Sequence, residues 1–306
     1  MRRLRFYQVD VFAEAPLEGN PLGVFPDARG LTDDEMQALA LELNLSETTF
    51  VLPSSNPAAA YRVRIFTPGR ELPFAGHPLV GTPWVMAREG AFPLVAPRTE
   101  IRHEVQVGVL PVTLETEPDG AGGLRVARVV MTQGRPRLGA AIEGRDADDL
   151  AGALGRPAGG VGLPALPPRV VSTGVDQLLV PLASADAVAA LTPDLAAVRR
   201  IADRCGAAGI FVFALTGDGE ARARFFAPSL GMVEDPATGS AAGCLGAYLA
   251  AAGQLPGKSL VVRQGVEMRR PSRLDVSVDG ETPEAMTVRV AGRVEPVIEG
   301  TVTLPG

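Results

Sequence analysis

Cysteine and histidine are scarce in this chain, and their scarcity excludes several classes of protein. Among 306 residues there are two cysteines, Cys205 and Cys244, and two histidines. Two cysteines cannot build a disulfide framework, so a reducing cytosol is the expected compartment. So few His and Cys side chains also give little material for a metal cluster. We therefore expect a cytoplasmic protein without a bound metal.

Basic charge and long apolar runs are also lacking. The net charge is −6 and the pI is near 5.2, whereas nucleic acids and anionic membranes are bound by clustered Lys and Arg. The longest apolar helix candidate, residues 240–252, is too short to span a bilayer. The first residues show no signal-peptide pattern. The expected partner is a small molecule, with no nucleic acid and no membrane.

The chain has ample material for hydrophobic cores. Apolar residues make up 46% of the 306 positions, enough for one large domain or two ordinary ones. Pro and Gly concentrate in residues 117–123, which predicts a linker. The sequence therefore predicts an N-terminal domain over residues 1–116 and a C-terminal domain that begins at residue 117.

Local patterns predict strands and a helix in the first domain. Polar and apolar residues alternate in "RFYQVDVF", as they do in a half-buried strand. Thr32 and Glu35 form a capping box for a helix that extends to Asn44. The following segment, "SETTFVL", favours a strand, and Glu47 lies at its entrance.

Two short stretches carry the same arrangement of small and polar residues. "ELPFAGHPLVGT" covers residues 71–82, and "EDPATGSAAGCLG" covers residues 234–246. Each follows a predicted strand that ends in proline and precedes a predicted helix. Aligning "RIFTP" with "RFFAP" pairs Gly76-His77 with Gly239-Ser240 if the second copy has a three-residue insertion. This pattern indicates a weak internal duplication.

A pair of helix N-termini is suited to holding an anion. Each presents unpaired backbone N–H groups and a partial positive charge. Glycine at positions 76 and 239 lets a ligand approach the backbone closely. A carboxylate in a partly dry site has a pKa raised toward neutrality, which suits it to proton transfer. The polar side chains available for that chemistry are Glu47, His77, Asp235 and Ser240.

Taken singly, each of these residues has a simpler explanation. Glu47 at a strand entrance is typical of a solvated edge residue, and His77 before a proline is typical of a helix start. Asp235 before a proline is a common turn residue, and Ser240 is a common N-cap. The duplicated setting favours the functional interpretation, because two independent accidents are harder to explain.

Four motifs together resemble one known family. "GNPLGVF", "LSETTFV", "RIFTPGRELPFAGHPLVGT" and "DPATGSAAGCLGAYL" are similar to the signatures of the PhzF, or phenazine biosynthesis-like, family. The resemblance runs over nearly the full length. It implies an α+β protein with the diaminopimelate-epimerase fold: two pseudo-symmetric domains, each a β-sheet wrapped around a central α-helix, with the active site between them. It also implies that the final strand, residues 295–306, returns to the first domain, which leaves residues 117–294 for the second.

The resemblance further implies an isomerase that needs no cofactor. Glu47 is then the acid and base that moves a proton between two carbons of a small carboxylate-bearing substrate. His77, Asp235 and Ser240 are the supporting catalytic groups. The residues implied to bind substrate are Asn20, Gly76 and Gly239.

The departures from related folds are also informative. In the two-thiol epimerases a cysteine precedes the glycine at each helix start, whereas Ala75 and Thr238 stand there in this chain. Cysteine-based racemisation is therefore disfavoured, and Cys244 is expected to be a packed thiol. Pro83 predicts a first helix that is kinked or that begins late. His103 is expected to lie on a strand face.

Two other functions stay open. One is a non-catalytic binding or partner protein that retains the fold, since a fold does not fix a function. The other is an epimerase or racemase that uses Thr238 with Glu47. An exposed sheet edge also makes a homodimer the expected assembly.

Overall fold

The fold is described from a computed structural model, which covers residues 1–217 and 219–305. Gly306, the last residue of the predicted returning segment, lies outside the described residues. The chain divides into two compact units. Unit 1 comprises Met1–Met131 and the segment that begins at Ala291, and unit 2 comprises Thr132–Val290. Strands dominate and helices are fewer, so the chain is an α+β protein, as the sequence predicts.

Among the described residues, nine strands and two α-helices belong chiefly to unit 1. The strands are β1 (Arg2–Val11), β2 (Asn20–Phe25), β3 (Glu47–Leu52), β4 (Tyr61–Phe66), β5 (Glu71–Leu72), β6 (Arg98–Val105), β7 (Gly108–Pro118), β8 (Leu124–Thr132) and the last strand, β18 (Val294–Leu304). The helices are α1 (Asp33–Leu43) and α2 (Pro78–Arg88).

The sheet of unit 1 is mixed. β1 pairs antiparallel with both β18 and β2, so the end of the chain completes this sheet. β2 and β3 are parallel, and β3 and β4 are antiparallel. β4 is antiparallel to β5 and parallel to β6, which pairs antiparallel with β7. This order brings the starts of β2 and β3 side by side.

Helix α2 packs against strands from across this sheet. It contacts β1, β2, β3, β7 and β18, and residues around its whole circumference are buried, as expected of a helix enclosed by its own sheet. Gly81 makes the close approach possible, because a Cβ there would lie 2.6 Å from Leu22 Cδ2 and 2.7 Å from Val11 Cγ2. The helix begins at Pro78 and continues past Pro83, so the predicted late start is wrong.

Helix α1 closes a second, aromatic core in unit 1. The predicted capping box is confirmed: Thr32 Oγ1 accepts from Glu35 N, and the Glu35 side chain accepts from Thr32 N. The buried face of α1 packs on a cluster that includes Phe25 and Phe50, whose rings are stacked 5.0 Å apart. This packing fixes β2 and β3, and with them the entrance of β3.

In the described part of the chain, nine further strands and four α-helices follow in unit 2 or at its borders. The strands are β9 (Arg137–Ala141), β10 (Arg169–Ser172), β11 (Asp176–Pro181), β12 (Ile210–Gly217), β13 (Glu220–Ala227), β14 (Met232–Asp235), β15 (Ser259–Gln264), β16 (Ser272–Asp279) and β17 (Thr287–Gly292). The helices are α3 (Gly144–Ala153), α4 (Ala185–Ala189), α5 (Leu195–Cys205) and α6 (Gly239–Ala251).

The sheet of unit 2 is also mixed. β10 pairs antiparallel with β9 and β11. β11 and β12 are parallel, and β12 and β13 are antiparallel. β13 is antiparallel to β14 and parallel to β15, which pairs antiparallel with β16. Helix α6 contacts β10, β11, β15 and β16, and α3, α4 and α5 supply a separate apolar core with residues such as Leu150 and Val198.

The predicted linker at residues 117–123 is wrong. β7 and β8 form an antiparallel hairpin in which Pro118 pairs with Leu124, so the Pro/Gly-rich stretch is a turn inside unit 1. The division between the units falls after Met131 instead of after residue 116. Turns and linkers share the same Pro/Gly composition, and composition alone does not separate them.

Two further observations concern the whole described chain. Both cysteines are free, and Cys244 is buried. Within residues 1–217 and 219–305, the helices are all too short or too polar to cross a lipid bilayer.

Candidate functional site

Glu47 lies where two parallel strands of unit 1 begin. It is the first residue of β3 and is paired in register with Leu22 of β2, which itself begins at Asn20. Ser46 joins the two strand starts, because its hydroxyl donates to Asn20 Oδ1 over 3.1 Å. The structure therefore brings two of the predicted site residues, Asn20 and Glu47, next to one another.

Burial changes the acidity of Glu47. The residue is 8% exposed, and loss of hydration raises the pKa of its carboxyl group to about 7, with a hydrogen bond from Ser46 acting in the opposite direction. The interpretation of Glu47 as a solvated edge residue is wrong, because its side chain is enclosed. At neutral pH both the protonated and the ionised form are populated, which is the condition for a group that takes and returns a proton.

His77 lies beside this carboxylate at the start of helix α2. It is the N-cap residue and has helical backbone angles, with φ −65° and ψ −31°. Its Nδ1 is 3.6 Å from Glu47 Oε2, which is an electrostatic contact longer than a hydrogen bond. Gly76 precedes it, and its carbonyl accepts from Leu79 N over 3.1 Å. Pro78 at the first helical position has no N–H to satisfy.

The start of helix α6 in unit 2 is held by a hydrogen-bonded clamp. Thr238 is the N-cap residue, yet its side chain does not cap the helix. Its hydroxyl donates to Asp235 Oδ2 and accepts from Gln264 Nε2 over 3.0 Å. Gln264 also donates to the Asp235 carbonyl over 2.7 Å and accepts from Thr238 N over 3.0 Å. The turn between β14 and α6 is therefore held by hydrogen bonds among Asp235, Thr238 and Gln264.

This clamp leaves the first N–H groups of α6 without a side-chain cap. The amides of Gly239, Ser240 and Ala241 occupy the first three helical positions, where no intrahelical acceptor exists. Ser240 Oγ accepts from Gln177 Nε2 over 3.1 Å, and Gln133 Nε2 donates to the Gly239 carbonyl over 2.8 Å. An uncapped helix start with a serine at its second position is suited to binding a carboxylate or another anion.

Each unit thus gathers its own share of the predicted site residues. Unit 1 brings together Asn20, Glu47, Gly76 and His77, and unit 2 brings together Asp235, Gly239 and Ser240. Sequence reasoning missed four polar contributors, namely Ser46, Gln133, Gln177 and Gln264. Ser46 was detectable because it adjoins Glu47, whereas the three glutamines lie on or beside strands far along the chain and carry no local signal.

Cys244 and His103, which were not predicted to be catalytic, are buried in places that favour their neutral forms. Burial raises the pKa of the Cys244 thiol to about 12, so a thiolate is not available near neutral pH. His103 lies inside β6, where burial lowers its pKa to about 4 and keeps the imidazole neutral. Across the described part of the chain, His, Cys, Asp and Glu side chains do not form a group of three or more with metal-ligand geometry.

Comparisons with known proteins place these residues in a wider context. The sequence matches the phenazine biosynthesis-like protein family over residues 9–300. It is 38% identical over 298 residues to the trans-2,3-dihydro-3-hydroxyanthranilate isomerase of Pseudomonas aeruginosa, covering 97% of this chain and 98% of that protein. It is 34% identical over 289 residues to the uncharacterized isomerase YddE of Escherichia coli K12, covering 92% of this chain and 93% of that one.

Solved structures give the same picture at the level of the fold. A PhzF-family phenazine biosynthesis protein from Bacillus anthracis matches with a TM-score of 0.84 and 29% identity. The match covers 99% of this chain and 100% of that chain. A probable proline racemase from Agrobacterium radiobacter has a TM-score of 0.67 and 15% identity, covering 99% of this chain and 93% of that chain. At 15% identity the second match shows a shared fold alone.

Proposed function

The chain belongs to the phenazine biosynthesis-like family and is a PhzF-like isomerase, and on that premise we propose that Glu47 moves a proton within a small carboxylate-bearing substrate. In the proposed reaction Glu47 takes a proton from one carbon, the electron pair of the broken C–H bond shifts the double bond, and the same carboxyl group returns the proton to another carbon. Atoms and charge balance without any further reactant.

One observation carries this proposal. Glu47 is a buried carboxylic acid whose pKa is raised to about 7 by loss of hydration, and it lies at the entrance of its strand. A group of this acidity is a strong enough base to remove an activated proton and a strong enough acid to return it. In a carboxylate kept for structure, partners that favour the charge outweigh burial and lower the pKa, whereas for Glu47 the loss of hydration outweighs the opposing effect of Ser46.

The neighbours of Glu47 support the same role. His77 Nδ1 lies 3.6 Å from the carboxylate, so the imidazole adjoins the group that exchanges the proton, and we propose that it stabilises the negative charge that develops on the substrate as Glu47 is protonated. The hydrogen bond between Ser46 and Asn20 holds the strand start that carries Glu47. We assign His77 a supporting catalytic role, and Asn20 and Gly76 roles in substrate binding.

The start of α6 is proposed to hold the substrate's carboxylate. The amides of Gly239 and Ser240 are at the first helical positions, which lack an intrahelical acceptor and a side-chain cap from Thr238, and the Ser240 hydroxyl, which accepts from Gln177, has a proton to donate. Asp235 supports this arrangement through its hydrogen bond with Thr238. That bond also engages the Thr238 hydroxyl, so racemisation through Thr238 gains no support and is not proposed further.

We also propose that the two units are the two pseudo-symmetric domains of a duplicated fold. The support is their strand order. β2, β3, β4, β5, β6 and β7 pair with the same parallel and antiparallel alternation as β11, β12, β13, β14, β15 and β16. In each set the buried helix follows the short fourth strand. The homodimer and the cytoplasmic location stay predictions, and sedimentation velocity on the purified protein tests the first.

The test of the proposed function is a matched pair of substitutions. The compound to test is trans-2,3-dihydro-3-hydroxyanthranilate, because the name of the Pseudomonas relative gives it as that enzyme's substrate. Turnover is followed by NMR in deuterated water, which also detects incorporation of solvent deuterium. Glu47→Gln keeps the shape of the side chain but cannot exchange protons, so we expect turnover to fall by about 10²–10⁴-fold.

The control is Glu42→Gln, the same chemical change at an exposed position of helix α1, for which turnover should stay at the wild-type value. Full activity in Glu47→Gln would overturn the assignment of the acid and base. If the wild type binds the compound but neither converts it nor exchanges its hydrogens, a non-catalytic binding protein becomes the better description.

A further inference from the structure

Gln177 makes the side-chain contact with Ser240 at the start of helix α6. It is the second residue of β11, is 2% exposed, and donates from Nε2 to Ser240 Oγ over 3.1 Å. We propose that Gln177 is a positioning residue: by donating to Ser240, it orients the serine hydroxyl so that its proton is donated to the bound substrate. This inference rests on the proposed role of the α6 start in holding the substrate's carboxylate.

The chemistry of a hydroxyl group explains how this works. A serine side chain has one proton to donate and two lone pairs that accept. The Gln177 N–H occupies one lone pair of Ser240. The serine hydroxyl cannot donate its proton back to that nitrogen, because the nitrogen lone pair is delocalised into the amide carbonyl and does not accept. The proton is thus left for an anionic ligand at the uncapped helix start, alongside the backbone amides of Gly239 and Ser240, which have no intrahelical acceptor.

A second feature of Gln177 points away from a purely structural role. In the part of the chain that the structure describes, no protein donor reaches its buried Oε1 atom. A buried carbonyl oxygen without a partner lowers stability, whereas an apolar side chain of similar size avoids this cost. Turning the amide over only transfers the cost to Nε2. Stability therefore does not favour glutamine here, and the donation to Ser240 is what the residue provides.

The strand itself also places no demand on this side chain. Gln177 pairs with Val171 of β10 through its backbone, and any residue that favours extended conformation satisfies that register. The residues that follow it on β11 are apolar and buried, beginning with Leu178 and Leu179. The presence of Gln177 at the first buried position of this apolar strand is therefore explained by its hydrogen bond to Ser240 on α6.

The experiment measures ligand affinity and stability together. The variants are Gln177→Leu, Ser240→Ala, the double variant that combines them, and Gln254→Leu as a control at an exposed position of the same unit. Isothermal titration calorimetry with anthranilate reports affinity, and thermal unfolding reports the midpoint. We expect Gln177→Leu to bind about tenfold more weakly while its unfolding midpoint stays equal to or above that of the wild type.

The double variant decides whether Gln177 acts through Ser240. If it does, the double variant binds no more weakly than Ser240→Ala alone, because the proton that Gln177 directs is already absent. Losses that add, or unchanged affinity in Gln177→Leu, would overturn the proposal. A lower unfolding midpoint in Gln177→Leu would also overturn it, since that outcome belongs to a structural residue.

A charge variant tests the direction of the hydrogen bond. Gln177→Glu offers the serine an acceptor in place of a donor, so the hydroxyl proton turns toward the new carboxylate. We expect anthranilate to bind at least as weakly as to Gln177→Leu, and wild-type affinity in Gln177→Glu counts against the proposal. Absence of binding to the wild type counts against both this inference and the proposed carboxylate site. Turnover by Glu47→Gln tests the proposed acid and base separately, whatever the Gln177 variants show.

Discussion

The starts of helices α2 and α6 occupy corresponding places along the chain but are built from different chemistry. At α2 a buried glutamate with a pKa near 7 lies 3.6 Å from a histidine. At α6 neutral amide and hydroxyl groups form a closed set of hydrogen bonds around Thr238, with Asp235 as their carboxylate acceptor. One helix start has a residue suited to moving a proton, and the other has a fixed arrangement of dipoles.

This difference shows what each kind of function requires of its surroundings. Proton transfer needs a group whose charge is only marginally favoured, and the burial of Glu47, which removes its hydration and raises its pKa, meets this requirement of the proposed role. Binding an anion needs donors that are already oriented, so the turn before α6 is clamped by Gln264, which is fully buried. If the two units are the copies of a duplicated fold, as proposed above, they keep the same strand order while their helix starts differ in chemistry.

The largest expected effect comes from changing a carboxylate to an amide near each helix start and comparing the losses of activity. Glu47→Gln removes the proposed proton carrier, and we expect a loss of about 10²–10⁴-fold in turnover. Asp235→Asn removes one charged hydrogen-bond acceptor from Thr238, which is expected to lower kcat/KM by only about 10–100-fold. Steady-state kinetics on both variants measure this. An Asp235→Asn loss as large as that of Glu47→Gln would contradict the division of tasks.

The free energy of unfolding is expected to depend on pH because of the raised pKa of Glu47. Its pKa is raised from 4.5 to about 7, so between these pH values the folded protein keeps a proton that the unfolded chain releases. The wild type therefore loses stability relative to Glu47→Gln as pH rises through this window, by about 3 kcal/mol in total. Urea unfolding at pH 4.5, 6 and 8 measures the difference.

The control for this prediction is Glu42→Gln at an exposed position, whose stability difference from the wild type should not vary in this way. A constant difference between the wild type and Glu47→Gln across the window would mean that the carboxylate is hydrated and not suited to the proposed task.

Close packing around both buried helices gives the next prediction. Gly81→Ala in α2 would place its Cβ 2.6 Å from Leu22 Cδ2 and 2.7 Å from Val11 Cγ2. Gly246→Ala in α6 would place its Cβ 2.5 Å from Val276 Cγ1. We expect both to lower the free energy of unfolding by about 1–3 kcal/mol, because the overpacking outweighs the gain in helix propensity.

A third glycine serves as the control for these substitutions. Gly152 in α3 has no atom within 4 Å of the position of an added Cβ, so Gly152→Ala should stabilise the chain by up to about 1 kcal/mol. Urea unfolding midpoints compare the three. Stabilisation by Gly81→Ala or Gly246→Ala would show that the sheet yields around that helix and does not enclose it tightly.

The sequence was sufficient to locate the parts of the fold and site that have local signals. The capping box of Thr32 and Glu35 is confirmed, because all its hydrogen bonds lie within four residues. The entrance of β3 was predicted from the strand-favouring residues that follow Glu47, and the start of α6 from the turn and small residues around it. For Glu47, local spacing favoured a solvated edge residue, and only the family resemblance and the duplicated setting marked it as a candidate, so its burial was not predicted.

What the sequence did not predict depends on contacts across long distances. Gln264 is 26 residues away from Thr238, whose backbone it binds, and no periodicity or composition marks such a partner in advance. The end of the first unit was misplaced for a related reason, since the turn at residues 119–123 becomes a hairpin only through the pairing of β7 with β8. Pairing across a sheet is a tertiary property, and local propensity does not determine it.

The smallest expected effect concerns hydrogen bonds in the bodies of the two helices. In α6, Tyr248 donates to the Pro167 carbonyl over 2.6 Å, and Tyr248→Phe removes that bond while keeping the ring contact with Phe213. In α2, the hydroxyls of Thr82 and Thr49 lie 2.9 Å apart, and Thr49 also reaches the Gly23 carbonyl over 3.3 Å.

Because Thr49 keeps that second acceptor, Thr82→Val should cost less than Tyr248→Phe, which we expect to lower the free energy of unfolding by about 1 kcal/mol. Urea unfolding of both variants under one buffer condition provides the measurement. Equal or reversed costs would show that the Pro167 carbonyl finds another donor when the tyrosine hydroxyl is lost, and that α6 depends on its apolar packing rather than on this bond.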